Sequence, residues 1–539
     1  MTAGAARLPC DEGVIRARAA DTPQTGRGGA WVLAATILGS AMAFVDGTVV
    51  NVALPALQQA LGADVADVQW VVESYALALA ALLLAGGSLG DRFGRRRVFG
   101  VGVALFAAAS VGCGLAPDVR WLIAMRAVQG VGGALLVPGS LALISASFAP
   151  ERRGRAIGTW SGVSSVAAGF GPVLGGWLIE NASWRWIFFV NVLPAAAVLL
   201  ILPRVPESRD PDAGRLDVPG AALATLGLGG IVYGLIEAGR WGWMHPAVLG
   251  STIVGVAAMI AFAVVERRSR SPMVPMGLFR SRTFAGANLL TLLLYAALGG
   301  ALFFLPFNLI QVQGYGAAAA GAAFLPFIVL MSGLSRWSGG LMDRHGARRP
   351  LTIGPLIAAA GFALCAVPGL GGSYWTTFFP GIVVLGLGMA VSVAPLTTSV
   401  MGAVESRHAG VASGINNAVS RTASLVAVAA FGLLALGVFG RSLDGRMEAM
   451  RTPPEIRAAM EMQRIRLADA EPPRGINPAG RAALERAVDL SFVAAFRWVM
   501  LVSAGLAVAS AAAAWLLIRD EPRPEAARAP PARQAVPAA

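Results

Sequence analysis

The 539-residue sequence predicts an all-α integral membrane protein with 14 transmembrane helices, arranged as two six-helix bundles plus two inserted central helices. Three observations predict it: the apolar composition, the alternation of arginine-rich and arginine-poor loops, and one loop that occurs twice. Hydrophobic residues make up 56% of the chain and charged residues only 14%. A soluble protein of this size could not bury so much apolar surface, so the bilayer must be its solvent.

The net charge of +13 does not indicate a nucleic-acid partner. The charges fall in short clusters between apolar runs, which is typical of topology signals. Cys10, Cys113 and Cys365 are too few and too scattered for a disulfide framework or a metal site, and no catalytic constellation is present. We therefore expect neither an enzyme nor a metal protein.

Apolar runs of roughly 20 residues, enough to cross a bilayer, define the predicted helices. The first eight are 31–53, 69–90, 97–116, 121–145, 155–179, 185–203, 217–237 and 247–265. The remaining six are 284–312, 317–342, 350–368, 375–401, 409–438 and 493–518.

These runs predict five consecutive parts of the chain. Residues 1–30 form a disordered cytoplasmic tail, 31–203 the first six-helix bundle and 217–265 the two inserted helices. Residues 284–518 form the second bundle, and 519–539 form a second cytoplasmic tail.

Arginine placement predicts the topology, because cytoplasmic loops of membrane proteins are enriched in positive charge. Alternate loops are rich in arginine, so both termini should be cytoplasmic. The arginine-rich loops contain Arg92, Arg95, Arg96, Arg97, Arg152, Arg153, Arg155, Arg204, Arg209, Arg215, Arg267, Arg268, Arg270, Arg280, Arg282, Arg344, Arg348, Arg349 and Arg407. The loop 439–490 breaks the alternation, but the rule is weak for long loops. This extracytoplasmic segment either shields the outer mouth or is a surface excursion without a transport role.

One loop motif occurs twice in register. The second span ends in a segment containing Gly87, Asp91, Arg92, Gly94 and Arg96, and the tenth span ends in its counterpart with Asp343, Arg344 and Gly346. An offset of eight helices means two six-helix halves with two helices between them. The aspartate can pair with a neighbouring helix and the glycine permits a tight turn, although the arginines alone would also enforce topology.

Several further motifs follow one another in order. They are Phe-Val-Asp46-Gly-Thr48-Val-Val-Asn51-Val-Ala-Leu-Pro55, Trp121-Leu-Ile-Ala-Met-Arg126-Ala-Val-Gln129-Gly130, Gly171-Pro172-Val-Leu-Gly175-Gly176 and Trp184-Arg185-Trp186-Ile-Phe-Phe-Val-Asn191. Together with the repeated loop, they resemble the signatures of the 14-spanner drug/proton antiporters of the major facilitator superfamily, from about residue 40 to 435 plus the last span.

The resemblance implies the major facilitator fold, with a cavity near the membrane midplane and rocking of one half against the other. It also implies that Arg126 takes part in proton coupling. Gly171, Pro172, Gly175 and Gly176 form the antiporter motif, which accompanies export in that family. Ala167 occupies a position that is often glycine there, which leaves the bending of this helix open.

Three ionisable residues inside predicted spans are candidates for proton coupling. An ionised Asp46 would cost ~2.5 kcal/mol or more in the membrane, which favours a functional role as a proton or cation carrier. The alternative is a structural carboxylate that is paired with a neighbouring arginine or caps a helix. Arg126 stays charged and needs a carboxylate, carbonyl or water, so it lies either beside the proton path or in a structural bond. Glu73 is a second acidic candidate, unless it reaches out to the membrane surface.

The cavity should be mostly apolar and aromatic, as small-molecule sites are. Residues that could line it or balance the acidic groups are Asn51, Tyr295, Phe303, Phe304, Phe307, Asn416, Asn417 and Arg421. Phenylalanines in membrane helices also pack in cores or face lipid, and arginines also tie helices together. The second-half helices contain no acidic residue, so the first half should carry proton coupling.

The sequence thus predicts a secondary active transporter in the cell membrane that exports small amphipathic drugs or antibiotics in exchange for protons by alternating access. Its partners would be the lipid bilayer, the substrate and protons; it would be a monomer with no cofactor beyond the proton gradient. One alternative is a dedicated exporter of a single self-made metabolite. Another is a non-transporting membrane sensor on the same fold, which would not need Asp46 and Arg126 in the membrane.

Overall fold

The computed structural model describes residues 27–210, 217–269, 272–405 and 409–519, and within these ranges it contains helices and turns but no strand. The first group of helices is α1 Arg27–Leu61, α2 Val65–Phe93, α3 Arg95–Gly114, α4 Val119–Ser147, α5 Pro150–Asn181, α6 Trp186–Phe189 and α7 Val192–Ile201. The inserted pair is α8 Val218–Trp241 and α9 Pro246–Arg268. The last group is α10 Arg282–Phe307, α11 Ala317–Ala322, α12 Leu325–His345, α13 Arg348–Cys365, α14 Phe378–Gly402, α15 Ala409–Ala449, α16 Pro454–Gln463 and α17 Pro478–Leu517.

Thirteen helices in the described ranges are long and apolar enough to cross a membrane. The all-α membrane class is therefore confirmed, while the count of fourteen is not reached by this criterion. The remaining predicted span, 350–368, is the 18-residue helix α13, which begins with Arg348 and Arg349 and is packed against α14 and α17. Two arginines in so short a helix reduce its mean hydropathy, which is why composition alone does not count it.

Two local signals set the boundaries of α2. Asp64 and Asp67 form a reciprocal capping box at its first turn, which satisfies two otherwise unpaired backbone donors. Gly94 separates α2 from α3 with a φ of 108°, a conformation that side-chain-bearing residues rarely adopt. We call the side of the molecule with the turns at 92–97 and 344–349 the arginine-rich face, and the opposite side the distal face.

Helix α8 packs against α2 of the first bundle and α15 of the second. At the distal face, the Arg240 guanidinium bonds Asp64 at 2.5 Å, Asp67 at 3.0 Å and Glu237 at 3.4 Å. The indole of Trp70 also donates to Glu237 at 3.0 Å. The inserted pair is thus fixed to the start of α2 by a cluster of charges.

The segment between α15 and α17 covers the distal end of the bundles. Its Arg466 carbonyl accepts a 3.0 Å hydrogen bond from Gln58 on α1, and Gln311, in the π-helical turn after α10, donates to Gln58 at 3.2 Å. Leu467 is buried in the apolar core with a φ of 54°. The segment therefore packs onto the membrane helices; this contact alone does not assign it a transport role.

Candidate functional site

Asp46 and Arg126 form an ion pair deep inside the first bundle. Asp46, on α1, is 0% exposed and Arg126, on α4, is 1% exposed. The Arg126 Nη1 atom lies 2.5 Å from Asp46 Oδ2. Asp46 is therefore paired with a neighbouring arginine in this conformation, as one of the alternatives considered from the sequence predicts.

Amide side chains complete the coordination of this pair. Gln129 and Asn191 donate to Asp46 Oδ1 at 2.8 and 3.0 Å, and Gln129 also accepts from Arg126 at 2.7 Å. The Arg126 Nε donates to the Val71 carbonyl at 3.0 Å. Both carboxylate oxygens therefore have donors, which is what a buried charge needs.

The pair is shielded from solvent and lies beside aromatic rings. The guanidinium of Arg126 lies 4.3 Å from the ring centre of Tyr75 and 5.9 Å from that of Phe188. Such cation–π contacts strengthen when water is excluded. Removing either charge would leave the other uncompensated in the membrane interior, which is strongly unfavourable.

Glu73 is separate from this network. It is 1% exposed, and its Oε2 has no hydrogen-bond partner among the described residues. It lies one turn beyond Gln69, whose amide donates to the Val428 carbonyl of α15 at 2.7 Å. Positions four apart share a helix face, so Glu73 points towards the seam between the bundles. It does not extend to the membrane surface.

A cavity of about 300 Å³ lies between the two bundles. It is bounded by α1 and α5 on one side and by α10 and α12 on the other. Asn51 is part of its wall, as the sequence suggested. The lining residues are Phe44, Thr48, Asn51, Val52, Trp160, Ser161, Ser164, Ala168, Gly169, Pro172, Leu302, Phe324, Phe327, Ile328 and Met331.

The bundles touch at the distal face and part towards the arginine-rich face. A Cβ atom on Gly176 would lie 2.2 Å from the Ala317 carbonyl oxygen, and one on Gly321 would lie 2.1 Å from that of Pro172. Near the other ends of α5 and α12, a Cβ on Gly158 or Gly333 would meet nothing within 4 Å. The cavity is therefore sealed distally by backbone contact.

The antiporter-motif glycines each permit a close helix contact, as small residues do in membrane proteins. Gly171 faces Thr48 and Gly175 faces Val49, both on α1, at distances that leave no room for a Cβ. Gly176 faces α11 instead. Pro172 lies inside α5 and lines the cavity. The motif thus joins α5 to its own bundle and to the opposite one.

The phenylalanines expected to line the cavity lie elsewhere. Phe303, Phe304 and Phe307 are buried in the apolar core and pack against one another, with ring centres 5.0 to 6.4 Å apart. Four other aromatic residues line the cavity instead. Tyr295 is half-buried on α10, outside the lining, and its carbonyl accepts from Ser424 at 3.2 Å.

The polar residues of α15 are also outside the cavity lining. Asn416 donates to Thr291 at 2.7 Å within the second bundle, and Asn417 is exposed and bonds back to the Ser413 carbonyl at 3.1 Å. Arg421 is half-buried and lies within electrostatic range of Tyr75. It does not contact Asp46, so the expected balancing of that charge by Arg421 is not seen.

In the first copy of the loop motif, Asp91 pairs with Arg95 at 2.8 Å across the Gly94 turn, linking α2 to α3. The backbone N–H of Arg96 donates to Glu207 at 2.9 Å, a partner that the sequence did not reveal. Arg92 is exposed, and Gly87 packs against Pro138 of α4.

In the second copy, Gly346 repeats the positive φ of the turn, at 76°, and Arg344 is exposed. The side chain of Asp343 lies outside the described part of the structure. Both turns therefore contain a glycine with a positive φ, whereas the role of Asp343 stays a prediction.

Comparison with known proteins identifies the family. The Major Facilitator Superfamily model matches residues 36–428. The tetracenomycin C resistance and export protein of Streptomyces glaucescens is 35% identical, over 93% of this chain and 94% of that protein. The puromycin resistance protein of Streptomyces alboniger is 37% identical, over 76% of this chain and 82% of that protein.

Two further comparisons agree. A probable actinorhodin transporter of Streptomyces coelicolor is 31% identical, over 80% of this chain and 77% of that protein. A crystal structure of a bacterial homologue of the human lysosomal transporter Spinster shares the fold, with a TM-score of 0.64 and 18% identity over 93% of this chain and 100% of that one. The chain is therefore a multi-pass membrane protein that belongs to the Major Facilitator Superfamily.

Proposed function

We propose that the protein exports small, amphipathic antibiotic-like compounds and takes up protons in exchange. The observation that carries this proposal is the position of α1, which presents Thr48 and Asn51 to the cavity while its Asp46 is bonded to Arg126 behind the cavity wall. A single helix thus connects a space for a substrate with a titratable pair. The names of the relatives, which include resistance and export proteins for tetracenomycin C and puromycin, support export as the direction.

The proposed cycle uses the chemistry of the Asp46 pair. A proton entering from outside neutralises Asp46, and a neutral carboxyl binds Arg126 far more weakly than a carboxylate does. The loosened pair lets α1 and α4 shift and biases the bundles towards the other conformation. When the site opens inward, the arginine again favours the ionised carboxylate and the proton leaves to the cytoplasm.

We place the arginine-rich face and both termini in the cytoplasm, following the charge asymmetry of the loops. The substrate then enters the cavity from the cytoplasmic side, where α5 and α12 have parted. Rocking closes that side and separates the glycine contacts at the distal face, which releases the substrate outward. In this account the protein acts as a monomer in the cell membrane, with the proton gradient as its only energy source.

Transport into inside-out membrane vesicles tests the proposal. Vesicles with an acidic interior should accumulate tetracenomycin C, and collapsing the pH gradient with a protonophore should abolish the accumulation. Vesicles from cells without the protein are the control. Accumulation that persists without the gradient would contradict proton exchange. If tetracenomycin C did not accumulate at all, the proposal of antibiotic export would be contradicted.

A further inference from the structure

The wall of the cavity carries no charged side chain among the residues that the structure describes there. Four aromatic rings contribute to it from both bundles: Phe44, Trp160, Phe324 and Phe327. The remainder is aliphatic or small and polar. A charged ligand in this space would lose its hydration without gaining a counter-ion, which is unfavourable. A flat apolar ligand would instead meet aromatic faces on several sides.

Two polar groups of the wall are already engaged. The hydroxyl of Thr48 donates to the Ala168 carbonyl at 3.0 Å, and the indole N–H of Trp160 donates to Ser40 Oγ at 3.0 Å. These bonds fix α1 against α5 and hold the Trp160 ring in place. They leave neither of these two donors free for a ligand.

Ser164 is different, because its hydroxyl is buried without a partner among the described residues. The residue is 2% exposed and lines the cavity. A helical serine commonly bonds the carbonyl four residues earlier, whereas Ser164 does not. An unsatisfied buried hydroxyl is costly, and a ligand oxygen would satisfy it. Asn51, on α1, adds an amide that can both donate and accept.

We propose that the cavity selects uncharged, flat aromatic compounds that carry a hydroxyl or carbonyl oxygen, that Ser164 and Asn51 recognise this oxygen, and that lipophilic cations are excluded. This inference rests on the export function proposed above and names the substrate class of the same site. Ser164 is the specificity-determining residue, because among the described residues of the cavity wall its hydroxyl is the buried group without a hydrogen-bond partner.

Three anthracenes that share one flat ring system and differ in one substituent test the proposal: 2-hydroxymethylanthracene, 2-methylanthracene, which carries no oxygen, and the anthracen-2-ylmethyl-trimethylammonium cation. Their binding to the purified full-length protein is measured by equilibrium dialysis. The hydroxymethyl compound should bind roughly 3- to 10-fold more tightly than the methyl compound, as one hydrogen bond predicts. The cation should bind most weakly. If the cation bound as tightly as the hydroxymethyl compound, or more tightly, the proposal would be overturned.

Ser164→Ala isolates the proposed contact. The variant should lose the preference for the hydroxymethyl compound, so that its Kd rises roughly 3- to 10-fold while the Kd of the methyl compound stays unchanged. Ser145→Ala is the matched control, because Ser145 is equally buried and equally without a partner but lies on α4, outside the cavity. If Ser164→Ala weakened the binding of both compounds equally, Ser164 would contribute only packing and its assignment would be overturned.

Asn51→Asp adds a gain-of-function test at nearly constant volume. A carboxylate in the uncharged wall should raise the affinity for the trimethylammonium compound about tenfold or more and leave the methyl compound unaffected. No gain for the cation would contradict the claim that the missing counter-ion excludes it.

Transport of the same three compounds into inside-out vesicles separates this inference from the proposed function. Gradient-driven accumulation of the cation as efficient as that of the hydroxymethyl compound would sustain proton-driven export and overturn the substrate class. Selective accumulation of the hydroxymethyl compound that ignores the pH gradient would sustain the substrate class and overturn proton exchange.

Discussion

At the scale of single residues, the most consequential feature is a charge pair with no access to water. Asp46 and Arg126 are each almost fully buried. Both carboxylate oxygens of Asp46 and the Nε and Nη1 atoms of Arg126 are hydrogen-bonded. Both residues could be assigned to membrane helices from the sequence, because a charged residue that interrupts an apolar run is recognisable without a structure. The sequence could not show that they meet, since their contact depends on how α1 and α4 are rotated against each other.

The same pair shows why its amide partners were missed. Gln129 and Asn191 occur in the quoted motifs of the fourth and sixth spans, yet an amide in an apolar run has no unique partner in the sequence. The expectation that the aromatic residues of α10 line the cavity did not hold, for a related reason. Phe303, Phe304 and Phe307 are aromatic, as residues that line small-molecule cavities often are, but they lie in the buried core.

Arg126→Ala should destabilise the protein by about 3–5 kcal/mol, because it leaves the Asp46 carboxylate buried without a counter-ion. The double variant Asp46→Asn/Arg126→Ala should recover part of this loss, since it removes the unpaired charge. Apparent melting temperatures of the purified variants measure the effect. A double variant no more stable than Arg126→Ala would contradict the pairing as the source of the loss.

At the scale of helices, small residues determine where the bundles touch. Gly176 contacts the backbone of α11 near the distal face, while Gly158, five turns earlier on the same helix, faces open space. The sequence identified the glycine motif on α5, and the glycine pattern predicted close packing. Which glycine faces the opposite bundle became clear only from the arrangement of α5, α11 and α12.

Gly176→Ala should lower gradient-driven accumulation of the substrate about tenfold, because the added methyl group overpacks the distal contact by roughly 1–3 kcal/mol and disfavours the sealed state. Gly158→Ala is the matched control on the same helix and should transport like the parent. Accumulation in inside-out vesicles is the measurement. Equal transport by both variants would show that the distal contact is not part of the cycle.

The inserted helix α8 provides a second test at this scale. Arg240→Ala leaves Asp64, Asp67 and Glu237 close together without their cation. We expect a melting temperature a few degrees lower, corresponding to about 1–3 kcal/mol. Arg441→Ala is the control, because Arg441 is exposed and bonds only its own helix at Gly437 among the described contacts. The same decrease in melting temperature in both variants would argue against a stabilising role of the charge cluster at the start of α2.

At the scale of the whole molecule, composition and loop charges predicted the class of protein and the order of its helices. They did not predict that residues between α15 and α17 pack onto Gln58 and the π-helical turn, because long loops carry no periodic signal. The helix count differs by one at α13, where two arginines begin a short helix.

The topology predicts opposite labelling of two engineered cysteines in a Cys10→Ser background, where Cys113 and Cys365 are buried. A membrane-impermeant maleimide should label Arg474→Cys in intact cells and Gly277→Cys only after permeabilisation. Both positions are exposed. Labelling of Gly277→Cys in intact cells would contradict the cytoplasmic placement of the arginine-rich face.

We propose that Asp46 carries the exchanged proton. In proteoliposomes at low buffer strength, adding tetracenomycin C to the parent protein should release protons, detected with a pH-sensitive dye. Asp46→Asn should reduce this release at least about tenfold, since an amide cannot take up or release a proton in this range. Asp118→Asn, the same substitution at an exposed helix cap, should behave like the parent. Undiminished proton release by Asp46→Asn would contradict a proton-carrying role of Asp46.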